Sequence, residues 1–71
     1  MFRDIFVALL QERNVTTYRL SKDTKISNGL VTGWTQGNKI PSGENLIKIA
    51  DYFDISIDFL LGRTDKPEVN R

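Results

Sequence analysis

The stretch Thr16–Gln36, TTYRLSKDTKISNGLVTGWTQ, decides the fold because it holds two short helices separated by a tight turn. One predicted helix, Thr17–Thr24, follows Thr16, and the other, Asn28–Gln36, follows Ser27. Hydroxyl residues are good N-caps because their side-chain oxygen accepts a hydrogen bond from a free backbone N–H. The pattern therefore predicts a helix-turn-helix unit.

Apolar residues spaced three and four apart predict three further helices, one before this unit and two after it. The first spans Phe2–Arg13. The fourth, Gly43–Phe53, follows Ser42, and the fifth, Ile57–Leu61, follows Ser56. Strand-like alternation nowhere persists beyond a few residues, so the predicted class is all-α, with five helices.

The composition excludes several classes of protein. The 71 residues include no cysteine and no histidine, which removes disulfide frameworks, thiolate zinc sites and His-based catalytic triads. Near the N-terminus, the uncharged stretch Ile5–Gln11 is too short for a signal peptide or a membrane span. The carboxylates match no metal-binding loop. We therefore expect one small cytoplasmic binding module that is not an enzyme and has no cofactor, metal or membrane partner.

Positive charge is concentrated in the middle of the chain. Residues 13–43 carry a net charge of +4, whereas the segments before and after them carry −1 and −2. A basic centre suits an anionic partner, although five cations over this length also suit an ordinary solvated surface. Charge alone leaves both interpretations open.

The helix-turn-helix unit indicates DNA as that partner, because the major groove is about as wide as one helix with its side chains. Over Phe6–Gly62 the chain resembles the phage-repressor-type family of helix-turn-helix domains, also called Cro/CI-like or xenobiotic-response-element domains. The resemblance rests on these residues at fixed spacing: Val15-Thr16-Thr17, Leu20-Ser21, Ile26-Ser27, Val31, Trp34, Gly37, Pro41-Ser42, Leu46, Ile49-Ala50, Ile55-Ser56, Asp58 and Leu60-Leu61-Gly62.

This resemblance implies a compact five-helix, lambda-repressor-like domain over residues 1–62, followed by a polar tail or linker over 63–71. It implies a prokaryotic or phage transcriptional regulator, most simply a repressor, that binds double-stranded DNA as a homodimer. Several positions depart from the family pattern, and Thr17 and Lys25 are among them. Thr17 stands where members usually have Gln, and Lys25 stands where they often have Gly. If the turn keeps a left-handed residue there, Lys25 costs about 1 kcal/mol.

The resemblance also implies which residues contact DNA. The third helix faces the bases, and its candidate base contacts are Ser27, Asn28, Gly29, Thr32, Gly33 and Gln36. The amides of Asn28 and Gln36 suit adenine. Gly29 and Gly33 have three possible interpretations. The backbone approaches DNA closely there, the helix is dynamic until it binds, or the two positions are simply exposed and under no constraint. The candidate phosphate contacts flank the groove: Arg13, Thr16, Thr17, Arg19, Lys22, Lys25, Asn38 and Lys39.

Three aromatic residues have alternative roles. The spacing of Trp34 from Leu30 and Val31 favours core packing over base stacking. Tyr52 and Phe59 lie where the resemblance places the dimer contact, and inward packing is the alternative for both. If that end of the molecule binds another protein and the basic surface binds nothing, the domain is instead an antitoxin-like or antirepressor-like interaction module.

Overall fold

The computed structural model describes residues 2–69, and within them it contains five α-helices and no strand. All five predicted helices are present: α1 Phe2–Arg13, α2 Thr17–Thr24, α3 Asn28–Gln36, α4 Gly43–Phe53 and α5 Ile57–Leu60. Only the end of α5 differs from the prediction. Leu61 still donates to Ile57 O, but the next N–H, of Gly62, bonds Phe59 O, three residues back, and this tighter bond ends the helix.

The four predicted N-caps are confirmed. In each, the side-chain oxygen accepts a hydrogen bond from the backbone N–H three residues later. The four bonds are Thr16–Arg19 at 3.0 Å, Ser27–Leu30 at 3.3 Å, Ser42–Asn45 at 3.3 Å and Ser56–Phe59 at 3.0 Å. Local sequence therefore sets where four of the helices begin.

Left-handed residues other than glycine end three of the helices, and Gly37 ends α3 in the same conformation. Asn14, Lys25 and Asp54 have φ values of 60°, 63° and 55°. Asn and Asp tolerate this conformation because their short polar side chains bond locally, whereas lysine has no such help. Lys25 thus carries the backbone strain expected from the sequence, at the turn between α2 and α3.

The core fixes α3 against α1. Trp34 is 1% exposed, and its ring meets the edge of Phe6 at a centroid distance of 5.9 Å. Phe2 stacks on Phe6 at 5.3 Å and also meets Trp34. The core role predicted for Trp34 is confirmed. No polar or charged residue is buried among those that the structure describes, so α3 is held by apolar packing.

The segment after α5 is not helical, but it contacts the domain. The carbonyl of Pro67 accepts a hydrogen bond of 2.9 Å from the backbone N–H of Ser56. Arg63 N–H donates to Asp58 O at 2.8 Å. The part of the predicted tail over 63–69 therefore returns to the start of α5 instead of extending away from it. Met1, Asn70 and Arg71, which the predicted domain and tail also include, lie outside the described residues.

Candidate nucleic-acid interface

One side of α3 is left uncovered by the core. Val31 and Trp34 point inward, whereas Asn28 and Gln36 are exposed and Thr32 is half-buried. Residues four apart lie above one another on a helix, so Asn28, Thr32 and Gln36 form one row along its outer side. Together with the exposed Gly29, we call this row the α3 face. This row carries both exposed amide side chains of α3, Asn28 and Gln36.

The polar side chains around α3 are not equally available. The Oγ of Ser27 accepts the Leu30 N–H as an N-cap, which occupies one of its two lone pairs and leaves its O–H as a donor. Asn38 Nδ2 donates to Gln36 Oε1 at 3.2 Å, which ties a candidate phosphate contact to a candidate base contact. The Asn28 amide bonds no other described residue. Asn28 therefore offers both its donor and its acceptor to a base edge.

The two glycines on α3 have different surroundings. A Cβ added to Gly29 would meet no heavy atom within 4 Å, so a partner can approach the backbone there. Gly33 is buried. A Cβ at Gly33 would lie 3.0 Å from Lys39 Cδ and 3.3 Å from Lys39 Cγ, because the lysine stem packs on the helix at this point. The open backbone expected at Gly33 is absent, and its lack of a side chain makes room for Lys39.

The C-terminal end of α3 is held by Arg3, which the sequence did not single out. Arg3 Nε donates to Thr35 O at 2.8 Å, and Nη1 pairs with Asp4 at 3.1 Å. A cation near a helix C-terminus is favourable because the last carbonyls carry partial negative charge. The contact joins residues 32 positions apart. No local sequence pattern in α1 predicts this contact.

Arg13, a candidate phosphate contact, is engaged within the fold. Its Nη1 donates to Phe53 O at 3.0 Å, and the guanidinium lies 5.8 Å from the centroid of the Phe53 ring. It thereby stabilises the C-terminus of α4 through a hydrogen bond and a cation–π contact. Arg13 therefore has a structural role, and its guanidinium already contacts α4.

Arg19 is engaged differently, in a network that joins α2 to α4. Arg19 Nε donates to Asp23 Oδ2 at 2.9 Å, and the Tyr52 hydroxyl donates to the same oxygen at 2.7 Å. The hydrogen bond from Tyr52, followed by the bond from Arg19, lowers the pKa of Asp23 below its ordinary 3.8. The bond to Asp23 raises the pKa of Tyr52 above 10.0 and also raises the pKa of Arg19. The spacing of Arg19 and Asp23, four apart on α2, could have indicated their ion pair, whereas the bond from Tyr52 comes from another helix and has no local signal.

The other candidate phosphate contacts surround the start of α2 and the turn. Thr16 uses its side-chain oxygen as the N-cap, and Thr17 is half-buried at the first helical position. Lys22 and Lys25 are exposed and form no ion pair with any described residue. Both ammonium groups are therefore available to an anion.

Tyr52 and Phe59 pack against the protein's own core while remaining half exposed. Other apolar side chains are more exposed than these two predicted interface residues. Ile47 on α4 is 52% exposed and Ile57 on α5 is 36% exposed. Ile47 and Ile57 therefore present a larger fraction of their apolar surface to solvent than the two aromatic residues do.

Within residues 2–69 the structure contains neither a candidate metal site nor a candidate membrane-spanning helix. No group of three or more His, Cys, Asp or Glu side chains is arranged to hold a metal ion. None of the five helices is both long enough and apolar enough to cross a bilayer.

Comparison with known proteins gives one match. The family model of the Cro/C1-type HTH DNA-binding domain matches residues 8–66, which include all of α2 to α5 and the second half of α1. Neither the curated proteins nor the solved structures include a significant match to the chain.

Proposed function

The chain belongs to the family of Cro/C1-type helix-turn-helix DNA-binding domains and is on that ground a DNA-binding transcriptional regulator, and we propose that it is a repressor that binds a short operator as a homodimer. The single observation that carries this proposal is the α3 face, a row of amide and hydroxyl side chains on a helix whose opposite side is fixed in the core. A rigid helix with exposed polar groups is what major-groove contact requires.

In this proposal α3 lies in the major groove and α2 crosses the DNA backbone. Asn28 and Gln36 contact base edges, and Thr32 offers a methyl group to thymine. Lys22 and Lys25 contact phosphates. With Gly29 bare and Gly33 covered, few side chains reach the bases, so sequence-dependent DNA shape contributes to specificity.

The homodimer follows from the small contact that one such domain makes. A monomer with a single short helix in the groove buries little surface and binds weakly. Two copies related by a two-fold axis place their α3 helices in half-sites about one helical turn apart. The exposed Ile47 and Ile57 supply apolar surface for the contact between copies. Occupancy of the operator would then block RNA polymerase.

Fluorescence anisotropy with pooled duplex DNA at several salt concentrations tests DNA binding. Lys22 and Lys25 are replaced together by Gln, because both are exposed and unpaired among described residues. The matched control replaces Lys48 and Lys66, which lie on α4 and after α5, and removes the same charge elsewhere. We expect the first pair of substitutions to lower the salt slope by about 1.8, since each phosphate contact contributes roughly 0.9.

The control variant should leave the slope nearly unchanged. Absence of binding at low salt, or the same loss of slope in both variants, would reject the DNA surface. Operators selected from the pool and the mass of the complex in solution then test the dimer. Palindromic sites bound by two chains support it, and single half-sites bound by one chain contradict it.

The alternative is a protein-interaction module of the same fold, and the exposed isoleucines are the observation in its favour. Ile47→Lys should disrupt a protein contact under either function, so DNA binding by the wild-type chain is the result that separates the two. Under the alternative, the wild-type chain does not bind DNA and the variant loses its protein partner.

A further inference from the structure

Asp23 joins two side chains that the chain places on different helices. Its Oδ2 atom accepts a hydrogen bond of 2.9 Å from Arg19 Nε, four residues earlier on α2. The same oxygen accepts a bond of 2.7 Å from the Tyr52 hydroxyl on α4. The orientation of Arg19 is therefore tied to the body of the domain and not to α2 alone.

This arrangement leaves the phosphate-binding edge of Arg19 uncovered. Only Nε contacts Asp23, and neither terminal amino group bonds another described residue. The Arg19 side chain is 68% exposed. A guanidinium has five donors in a rigid plane, so one edge can bond a carboxylate while the other bonds a phosphate.

We propose that Asp23 and Tyr52 are positioning residues that hold the guanidinium of Arg19 in the orientation in which it binds a DNA phosphate. This inference rests on the proposed DNA-binding function. An unrestrained arginine loses rotamer freedom when it binds, and a side chain that is already held loses less. Because Asp23 occupies Nε, a phosphate at the terminal amino groups does not have to displace it.

The position of Tyr52 on α4 gives the network its effect. An ion pair four residues apart on an exposed helix is weak by itself, because solvent screens it and both side chains remain mobile. The phenol fixes the carboxylate from a second helix, and its ring packs on Phe53 at a centroid distance of 5.2 Å. Removing only the Tyr52 hydroxyl should therefore loosen Arg19 while leaving the packing in place.

A double-mutant cycle between Tyr52→Phe and Arg19→Ala tests the proposal. Tyr52→Phe changes no charge, so any change in DNA affinity does not come from bulk electrostatics. We expect it to weaken binding of pooled duplex DNA about threefold, within the range of coupling between residues of one network. In the Arg19→Ala background the same substitution should have no effect. A variant with Lys22→Gln and Lys25→Gln serves as the control background, in which the threefold loss should persist.

Thermal melting of each variant keeps stability apart from binding. A merely structural role for Tyr52 lowers the melting temperature and leaves the affinity of the folded protein unchanged, or weakens binding equally in both Arg19 backgrounds. Either result overturns the positioning role. If the wild-type chain shows salt-dependent binding but the cycle is additive, only this inference fails. If the wild-type chain binds no DNA, the proposed function fails and this inference fails with it.

Discussion

At the scale of single residues, several polar side chains around α2 and α3 are hydrogen-bonded to one another. Asp23 serves Arg19 and Tyr52 through one oxygen atom. The Asn38 amide bonds the Gln36 amide. A substitution at any of these positions therefore alters a neighbour as well. Binding data from single variants need a partner variant before they are assigned to one contact.

We expect the contribution of Asp23 to the stability of the domain to be lost at acid pH. A carboxyl group whose pKa is lowered on folding stabilises the fold while it is ionised, above its ordinary pKa of 3.8. This contribution falls as the pH drops through the lowered value. We expect Asp23→Asn to be less stable than the wild type at neutral pH and the difference to shrink below about pH 4. Urea unfolding between pH 7 and pH 2.5 measures it.

Asp51→Asn is the matched control for this experiment. Asp51 is an exposed aspartate on α4 whose side chain bonds no described residue. Its substitution should have little effect on stability at any of these pH values. A difference between Asp23→Asn and the wild type that stays constant down to pH 2.5 would contradict the role given to Asp23.

At the scale of secondary-structure elements, the two glycines of α3 should respond differently in stability when each is replaced by alanine. Gly29→Ala meets open space and should stabilise the helix by about 1 kcal/mol, a rise of roughly 4–8 °C in melting temperature. Gly33→Ala gains the same helix propensity but must push the Lys39 stem aside. We expect a smaller gain at Gly33, measured by thermal melting.

Removing the lysine stem provides the control. In a Lys39→Ala background the two glycine substitutions should raise the melting temperature by similar amounts. Equal gains in the wild-type background would show that Lys39 does not constrain Gly33.

The turn between α2 and α3 predicts a separation of stability from binding. Lys25 has φ 63° and ψ 23°, and glycine adopts this conformation without the steric cost of a Cβ atom. Lys25→Gly should stabilise the domain by about 1 kcal/mol, whereas Lys25→Ala keeps the strain. Both substitutions remove the same charge, so both should weaken DNA binding equally. Denaturant unfolding and anisotropy on the two variants measure the two effects.

A Lys25→Gly variant no more stable than Lys25→Ala would show that the turn rearranges to avoid the strain. Unequal DNA affinities would show that the backbone of the turn, and not only its charge, contributes to binding.

The helices could be predicted from sequence because their signals are local. A cap such as Thr16 bonds an N–H three residues away, and the spacing of apolar residues marks the buried side of each helix. The contacts that sequence did not predict join distant residues. Arg13 meets Phe53 across 40 positions, and Tyr52 meets Asp23 across 29. Such pairs depend on how the helices pack, which no short pattern records.

The same limit applies to the candidate site. The exposure of Asn28 and Gln36 follows from their spacing relative to Val31 and Trp34, which the sequence predicts to face the core. The cover over Gly33 depends on the path of the chain after α3, which brings Lys39 back onto the helix. Close approach of DNA to the backbone is one of the interpretations that sequence leaves open for the two glycines, and at Gly33 the Lys39 stem occupies that space.

At the scale of the whole molecule, the lack of histidine and cysteine predicts a flat response to neutral pH. Every ionisable side chain is Asp, Glu, Lys, Arg or Tyr, and none of these ordinarily titrates between about pH 5 and pH 9. No charged residue is buried in the described part of the chain. Melting temperature and DNA affinity should therefore stay constant between pH 5.5 and pH 7 at fixed ionic strength, below the range of about 7.7–8.0 in which an α-amino group ordinarily titrates. A transition near pH 6.5 would contradict this.

The stem of Lys39 is carried by the loop between α3 and α4, so the length of that loop sets which part of α3 the lysine covers. Inserting or deleting one residue between Gly37 and Lys39 would move the lysine stem away from α3 and expose the Gly33 backbone, while leaving all five helices intact. The outer surface of α3 can thus be remodelled by a change in spacing, without any substitution in α3 itself. In a lineage of such domains, insertions and deletions in this loop would be a route to new target preferences.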